Sequence, residues 1–205
     1  MRLAQTMDRE KIEQLREALS ERQIAMEYVP TGAEALARLQ ELIPMATEVM
    51  TGSSTTLDQI GFTGWLKELH EAGKLRYFRA EVQTIGDAGA RTSNRRQATL
   101  APYFLGSVNA LTEDGLAVCS DASGTRIGGY VFGALQVIWV VGINKIVPTL
   151  DDAFRRIWEV ALPGEDARIK SIGGHGSEVG KLVVFYRESE PNRIRLILVG
   201  ESLGF

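Results

Sequence analysis

GSVNALTEDGLAVCSDASGTRIGGYVFGALQVIWVVGINK, residues Gly106–Lys145, is the stretch around which the chain is organised. Phe104 to Leu111, overlapping its start, is apolar and β-prone; Glu113-Asp114-Gly115 interrupts it before Leu116-Ala117-Val118-Cys119 resumes. Asp-Gly between two apolar runs predicts a hairpin, because this pair tolerates the positive φ angles of a tight return. Asp121-Ala122-Ser123-Gly124-Thr125-Arg126 and Gly128-Gly129 follow. Small residues there let a backbone approach a bound group and leave N–H groups free to face an anion. Leu135 to Val141 is apolar apart from Gln136, the pattern of a central parallel strand covered on both faces. It ends in Gly142-Ile143-Asn144-Lys145, and polar groups just past the carboxyl end of such a strand are where open α/β sheets bind ligands.

Outward from this centre, Asp8 to Met26 reads as an amphipathic helix, with Ile12, Leu15 and Leu19 at three- and four-residue steps and Tyr28-Val29-Pro30 as its breaker. Thr31-Gly32-Ala33-Glu34 is a capping box, so a second helix runs to about Leu42 and residues 8–43 form a helical pair. Glu48 to Thr51 is a short strand that leads into Gly52-Ser53-Ser54-Thr55-Thr56 and then a helical pattern at Leu57 and Ile60. Strand, Gly/Ser/Thr loop and helix bind phosphate or carboxylate through unpaired N–H groups and hydroxyls; the same residues also serve as a plain N-cap. No Lys follows at Walker A spacing. Thr63 to Glu71 reads as a helix closed by Gly73, with His70 among charges and lacking a metal-binding companion. Leu75 to Ala80 reads as a strand. From Ala88 to Thr112 there is no acidic residue while Arg91, Arg95 and Arg96 cluster, either to hold an anion or to coat a helix. Thr149-Leu150-Asp151-Asp152 caps a helix that Pro163-Gly164 ends, with a further turn or two from Glu165 to Ser171. Leu182 to Tyr186 and Ile194 to Val199, joined by Glu188-Ser189-Glu190-Pro191-Asn192, predict a C-terminal β-hairpin. The sum is a single α/β domain over residues 1–205, mainly parallel, with helices flanking the sheet.

Composition narrows the function. At 205 residues, 44% hydrophobic and 24% charged, the chain can bury a sizeable core. A net charge of −3 offers no footprint for nucleic acid. One cysteine excludes a disulfide framework and a Cys-based metal cluster within one chain. No apolar run reaches bilayer-spanning length, and MRLAQTMDREKIEQL lacks the apolar segment of a secretory leader, so the cytoplasm is the expected compartment.

The chemistry-bearing residues exclude some classes. There is no Gly-x-Ser-x-Gly elbow and no GxGxxG fingerprint, and Cys119 on an apolar strand reads as packing. Glu113 stands in a turn that explains it by geometry, with a general base as the other reading. Asp121, at the mouth of the glycine-rich loop, could orient a hydroxyl, act as a base or cap the next turn. Arg126 suits bidentate pairing with carboxylate or phosphate. Together these residues predict an anion-holding pocket. Gly52, Ser53, Ser54, Thr55 and Thr56 supply one wall, Gly124, Thr125 and Arg126 another, with Asn109, Asp121, Asn144 and Lys145 around the rim.

Three motifs, Ser107 to Gly115, Gly124-Thr125-Arg126 and Val141 to Val147, resemble the lactate-utilisation (LUD) family, in its LutC/YkgG-like branch. Thr51 to Phe62 and the closing Leu198-Val199-Gly200-Glu201-Ser202-Leu203-Gly204-Phe205 are similar to the same family in matching order. The resemblance implies a fold like that of ribose-phosphate isomerases and CoA transferases. It also implies an accessory component of lactate or organic-acid oxidation, with iron–sulfur clusters or flavin carried by a partner protein and no cofactor in this chain. A non-catalytic ligand sensor and an isomerase- or transferase-like enzyme for a phosphorylated or CoA-linked molecule are the alternatives. The apolar terminus raises the expectation of a homodimer. The chain departs from the family pattern in Ile172 to Gly180, which lacks the cysteines of many relatives. Ala122 and Thr125 stand where relatives tend to have Gly and Asn, and Gly133 to Gln136 lacks the usual Pro and Lys.

Overall fold

The computed structural model describes residues 7–205; residues 1–6, the start of the stretch read above for a leader, lie outside the described residues. In chain order the elements are α1 (Arg9–Glu21), β1 (Ala25–Val29), α2 (Gly32–Leu42), β2 (Glu48–Thr51), α3 (Thr55–Gln59), α4 (Phe62–Glu71), β3 (Arg76–Tyr77), α5 (Phe78–Thr84) and α6 (Ala88–Ala98). Then come β4 (Tyr103–Gly106), β5 (Ala110–Thr112), β6 (Ala117–Asp121), α7 (Thr125–Gly128), β7 (Gln136–Gly142), β8 (Ile146–Val147), α8 (Leu150–Arg156), α9 (Leu162–Ser171), β9 (Lys181–Phe185) and β10 (Ile194–Val199).

Six strands form a parallel sheet in the order β1-β10-β7-β4-β2-β3. As the apolar run predicts, β7 lies inside it, paired with β10 and β4. Its alternate side chains serve two cores. Val137, Trp139 and Val141 join α1 and the second sheet, while Ile138 and Val140 face the residues of α2, α3 and α4. The second sheet, β8-β5-β6-β9, is mixed, with β6 antiparallel to both neighbours. Phe104, Tyr130, Trp139 and Phe185 form an edge-to-face chain with centroid separations of 5.4, 5.7 and 5.0 Å, which ties the two sheets together.

Several local readings change. The first helix stops at Glu21, short of the expected Met26; Gln23 takes a positive φ of 61°, and Ala25 to Val29 becomes an edge strand. Phe104 to Leu111 is two strands. Gly106 closes β4 at a point where a Cβ would run into the Tyr130 hydroxyl, and Ser107-Val108-Asn109 carries the chain across to the second sheet. Of Leu75 to Ala80 only Arg76 and Tyr77 pair as strand; Phe78 and Val82, one turn apart, are both buried by a helix instead. Pro163 does not end its helix. A π-type turn at Ile157–Ala161 leads straight into α9, so the proline falls in the first turn of the next segment, where its missing N–H matters least. The two C-terminal strands form but do not pair with each other. β9 joins β6 in the mixed sheet, and β10 enters the parallel sheet between β1 and β7.

The segment between them is fixed by a buried ion pair instead of a hairpin turn. Arg193 and Glu188, 6% and 8% exposed, meet at 2.7 Å, and Arg193 also donates to the carbonyls of Ala134 and Tyr130 at 2.9 and 2.6 Å. Breaking a buried pair strands the remaining charge. Arg193→Leu therefore lowers unfolding free energy by about 3–5 kcal/mol, read by denaturant titration.

Candidate functional site

All strands of the large sheet run the same way, so the loops after β2, β4 and β7 leave the same edge. These loops are Gly52–Ser54, Ser107–Asn109 and Ile143–Lys145, and the loop after β6 reaches them from the second sheet. Together they line a cavity of about 220 Å³ that opens to solvent. Gly52 shows how closely they meet, since a Cβ there would lie 2.9 Å from Cδ of Arg126.

Gly52, Ser53, Ser54, Thr55, Thr56, Asn109, Asp121, Thr125, Arg126 and Lys145 all line this cavity. Ser54 caps α3, its hydroxyl accepting from Leu57 N–H at 3.3 Å, so the N-cap reading of the loop holds. At five residues α3 adds little macrodipole, and the donors that count are hydroxyls and N–H groups of the loop itself.

Asp121 takes the capping role. One carboxylate oxygen accepts from Ser123 N–H and Gly124 N–H, both at 3.2 Å, and the other from Arg126 N–H at 2.9 Å. Its base reading weakens accordingly, because backbone donors occupy both oxygens. Arg126 donates through Nη2 to the Ser120 carbonyl and to Asn109 Oδ1, and its Nε stands 3.9 Å from Asp121. Its Nη1 has no acceptor among the described residues.

Lys145 is the floor of the cavity, where the sequence placed it on the rim. It is 2% exposed, and Nζ donates to Thr56 Oγ1 at 3.0 Å and Ser107 Oγ at 2.9 Å. No carboxylate among the described residues pairs with it. Burial, and then the guanidinium groups of Arg156 and Arg126, bring its pKa from 10.5 down to about 7.

Three predicted residues stand apart from the cavity lining. Gly124 packs against the Lys181 side chain. Asn144 instead clamps the C-terminal segment, accepting from Leu203 N–H at 3.0 Å and donating to the Gly204 carbonyl at 3.1 Å. That clamp lays Phe205 against the cavity and buries Leu203 within the chain. Glu113 stays in the β5–β6 turn, exposed, its N–H bonded to the Val147 carbonyl at 3.0 Å. Of the arginine cluster only Arg95 reaches the cavity, donating to the hydroxyls of Ser123 and Thr125 at 2.6 and 2.7 Å. Arg91 braces its own helix entry, and Arg96 faces solvent.

Sequence reasoning missed Ser107, Arg79 and Arg156. Arg156, 8% exposed on α8, donates to the carbonyls of Asn144 and Asn109 at 3.2 and 2.6 Å, pinning two of the loops. Its only sequence signal was an arginine on the inward face of a helix. Cys119 is fully buried, and burial raises its thiol to about 11, which agrees with packing. His70 Nδ1 accepts from Tyr77 N–H at 3.3 Å, and no metal-holding group of side chains occurs among the described residues.

The LUD domain model matches residues 12–199, and the chain belongs to the LUD (lactate-utilisation) family. Among solved structures it is similar to a DUF162 family protein from Deinococcus radiodurans. Identity is 13%, the likeness covers 93% of this chain and 96% of that one, and the TM-score is 0.56, which establishes the shared α/β fold. A comparison with curated proteins gives no match.

The low pKa of Lys145 has a stability consequence. Between pH 7 and 10.5 the unfolded chain holds the proton that the folded amine has released, so this residue makes stability rise with pH across that window. Lys145→Met therefore removes a pH-dependent component of up to about 1.4 kcal/mol per pH unit. Denaturant midpoints of both proteins from pH 7 to 10 check this; parallel profiles would contradict it.

Proposed function

We propose that this chain is a LutC/YkgG-like lactate-utilisation protein that binds a small anionic metabolite at the carboxyl edge of its parallel sheet, as an accessory to organic-acid oxidation. The observation that carries the reading is Lys145, a buried amine without a carboxylate partner among the described residues, facing a cavity that Arg126 also lines. Charge left unmatched at a cavity wall is matched by a ligand of opposite sign. Arg79 and Arg95, half-buried at the same cavity, add positive charge, which Glu165 and Glu178 of the same lining offset in part, while Asp121 is engaged by backbone donors. A volume of about 220 Å³ lies below the roughly 300–1,000 Å³ of drug-sized sites, which favours a carboxylate of a few carbons over a nucleotide or CoA.

The redox step falls to a partner carrying iron–sulfur clusters or flavin, since the one cysteine is buried in the core. Among the described residues no helix is long and apolar enough to cross a membrane, and we place the protein in the cytoplasm with its partner. The isomerase alternative is less well supported, since Glu113 lies away from the cavity lining and both Asp121 carboxylate oxygens accept from backbone N–H groups.

Thermal shift with lactate, pyruvate and inorganic phosphate tests the pocket. A ligand at a hundred times its Kd raises the midpoint by roughly 5–10 °C in a chain of this size. Arg126→Ala is expected to lose most of that response. A wild type indifferent to every anion, or a variant that responds as the wild type does, contradicts the reading. Affinity capture from the native host should return an iron–sulfur or flavin protein; its consistent absence would remove the accessory role.

A further inference from the structure

The Lys145 amine is placed to do more than attract charge. It is buried, it lines the cavity, and it lies within 3.0 Å of two hydroxyls that can carry a proton to or from it. Arg126 lines the same cavity with Nη1 free of any acceptor among the described residues. Amine, hydroxyl pair and guanidinium around a small cavity open to solvent make a site for a molecule bearing a carbonyl next to a carboxylate.

We propose that Lys145 condenses with the carbonyl carbon of a small 2-oxo acid to form an imine, with Arg126 holding the carboxylate. This deepens the anion-pocket reading and rests on it. The Nζ lone pair attacks the carbonyl carbon, the C=O π pair moves to oxygen, and a proton passes from nitrogen to that oxygen to give a carbinolamine. The C–O bond then breaks as the nitrogen lone pair closes C=N, and the second N–H proton passes to the departing hydroxyl, which leaves as water. One water is released and no electron is transferred, so no oxidant or reductant is needed. Thr56 and Ser107 hydroxyls flank the nitrogen on both sides and relay the protons.

The neutral amine is the reactive form. Around Lys145 stand Arg126 from α7, Arg156 from α8 and Cys119 from β6, with the two hydroxyls from the loops after β2 and β4. Burial and the two guanidinium groups hold the proton off, and the buried thiol stays neutral at pH 7. An ordinary lysine is neutral only near pH 10.4.

Incubation of the full chain with pyruvate and cyanoborohydride, followed by intact mass and peptide mapping, tests this. The expected result is one reduced adduct per chain, on the peptide carrying Lys145, forming faster as pH rises through about 7. Lysine 145 to arginine (K145R) should abolish it, and Arg126→Ala should slow it at least about tenfold at low pyruvate, the loss of one charge-assisted contact. In the wild type, lactate has the carboxylate but no carbonyl; it should protect Lys145 without itself forming an adduct, a result independent of whether either variant folds. Adducts confined to surface lysines, or none, while lactate and pyruvate raise the midpoint equally, would overturn the imine and leave the anion pocket standing. No stabilisation by either acid would overturn both.

Discussion

A buried amine with no carboxylate against it among the described residues is the constraint on which this site turns. Lys145 is held by two hydroxyls, which satisfy its hydrogen bonds but not its charge. A core built for stability alone would fill this position with an apolar side chain. The protein keeps the lysine and surrounds it with Arg126 and Arg156, which makes the charged form costlier still. Positive potential concentrated this way, at the end of a cavity, favours an anion entering from solvent.

Parallel strand order is what brings the pieces together. β2, β4 and β7 are neighbours running in one direction, so residues separated by more than ninety positions, Gly52 and Lys145, reach the same edge. Arg156 then ties the loops after β4 and β7 to one guanidinium, and Asn144 fastens the C-terminal segment over the same end. The mixed sheet contributes the Asp121–Arg126 loop, and the aromatic chain through Trp139 keeps the two sheets in fixed relation. Loop contacts are set by the strands beneath them, so the cavity is a property of the sheet rather than of any one motif.

Much of this was legible before any coordinates. The continuous apolar run at β7, the Asp-Gly turn, the capping boxes at Thr31 and Thr149 and the hydroxyl loop after β2 follow from local chemistry, and local chemistry is what a sequence displays. Long-range pairing is not displayed in this way. β9 and β10 look like a hairpin because a turn signal separates them, yet each finds a better partner elsewhere, and the Glu188–Arg193 pair anchors the turn between them. Asn144 and Lys145 are adjacent in sequence, but a 3₁₀ turn sends one amide to the C-terminal segment and the other side chain into the cavity. Which of two neighbouring polar residues faces the cavity depends on that turn, and no spacing rule reveals it.

The most direct measurement is an NMR titration of the Lys145 side-chain nitrogen, assigned by comparison with Lys145→Met. The account predicts one lysine titrating near pH 7 in the free protein, and lactate or phosphate moving that midpoint upward, because a bound anion favours the ammonium form. A Lys145 that titrates near 10.4 with the other lysines and does not respond to either anion would contradict it.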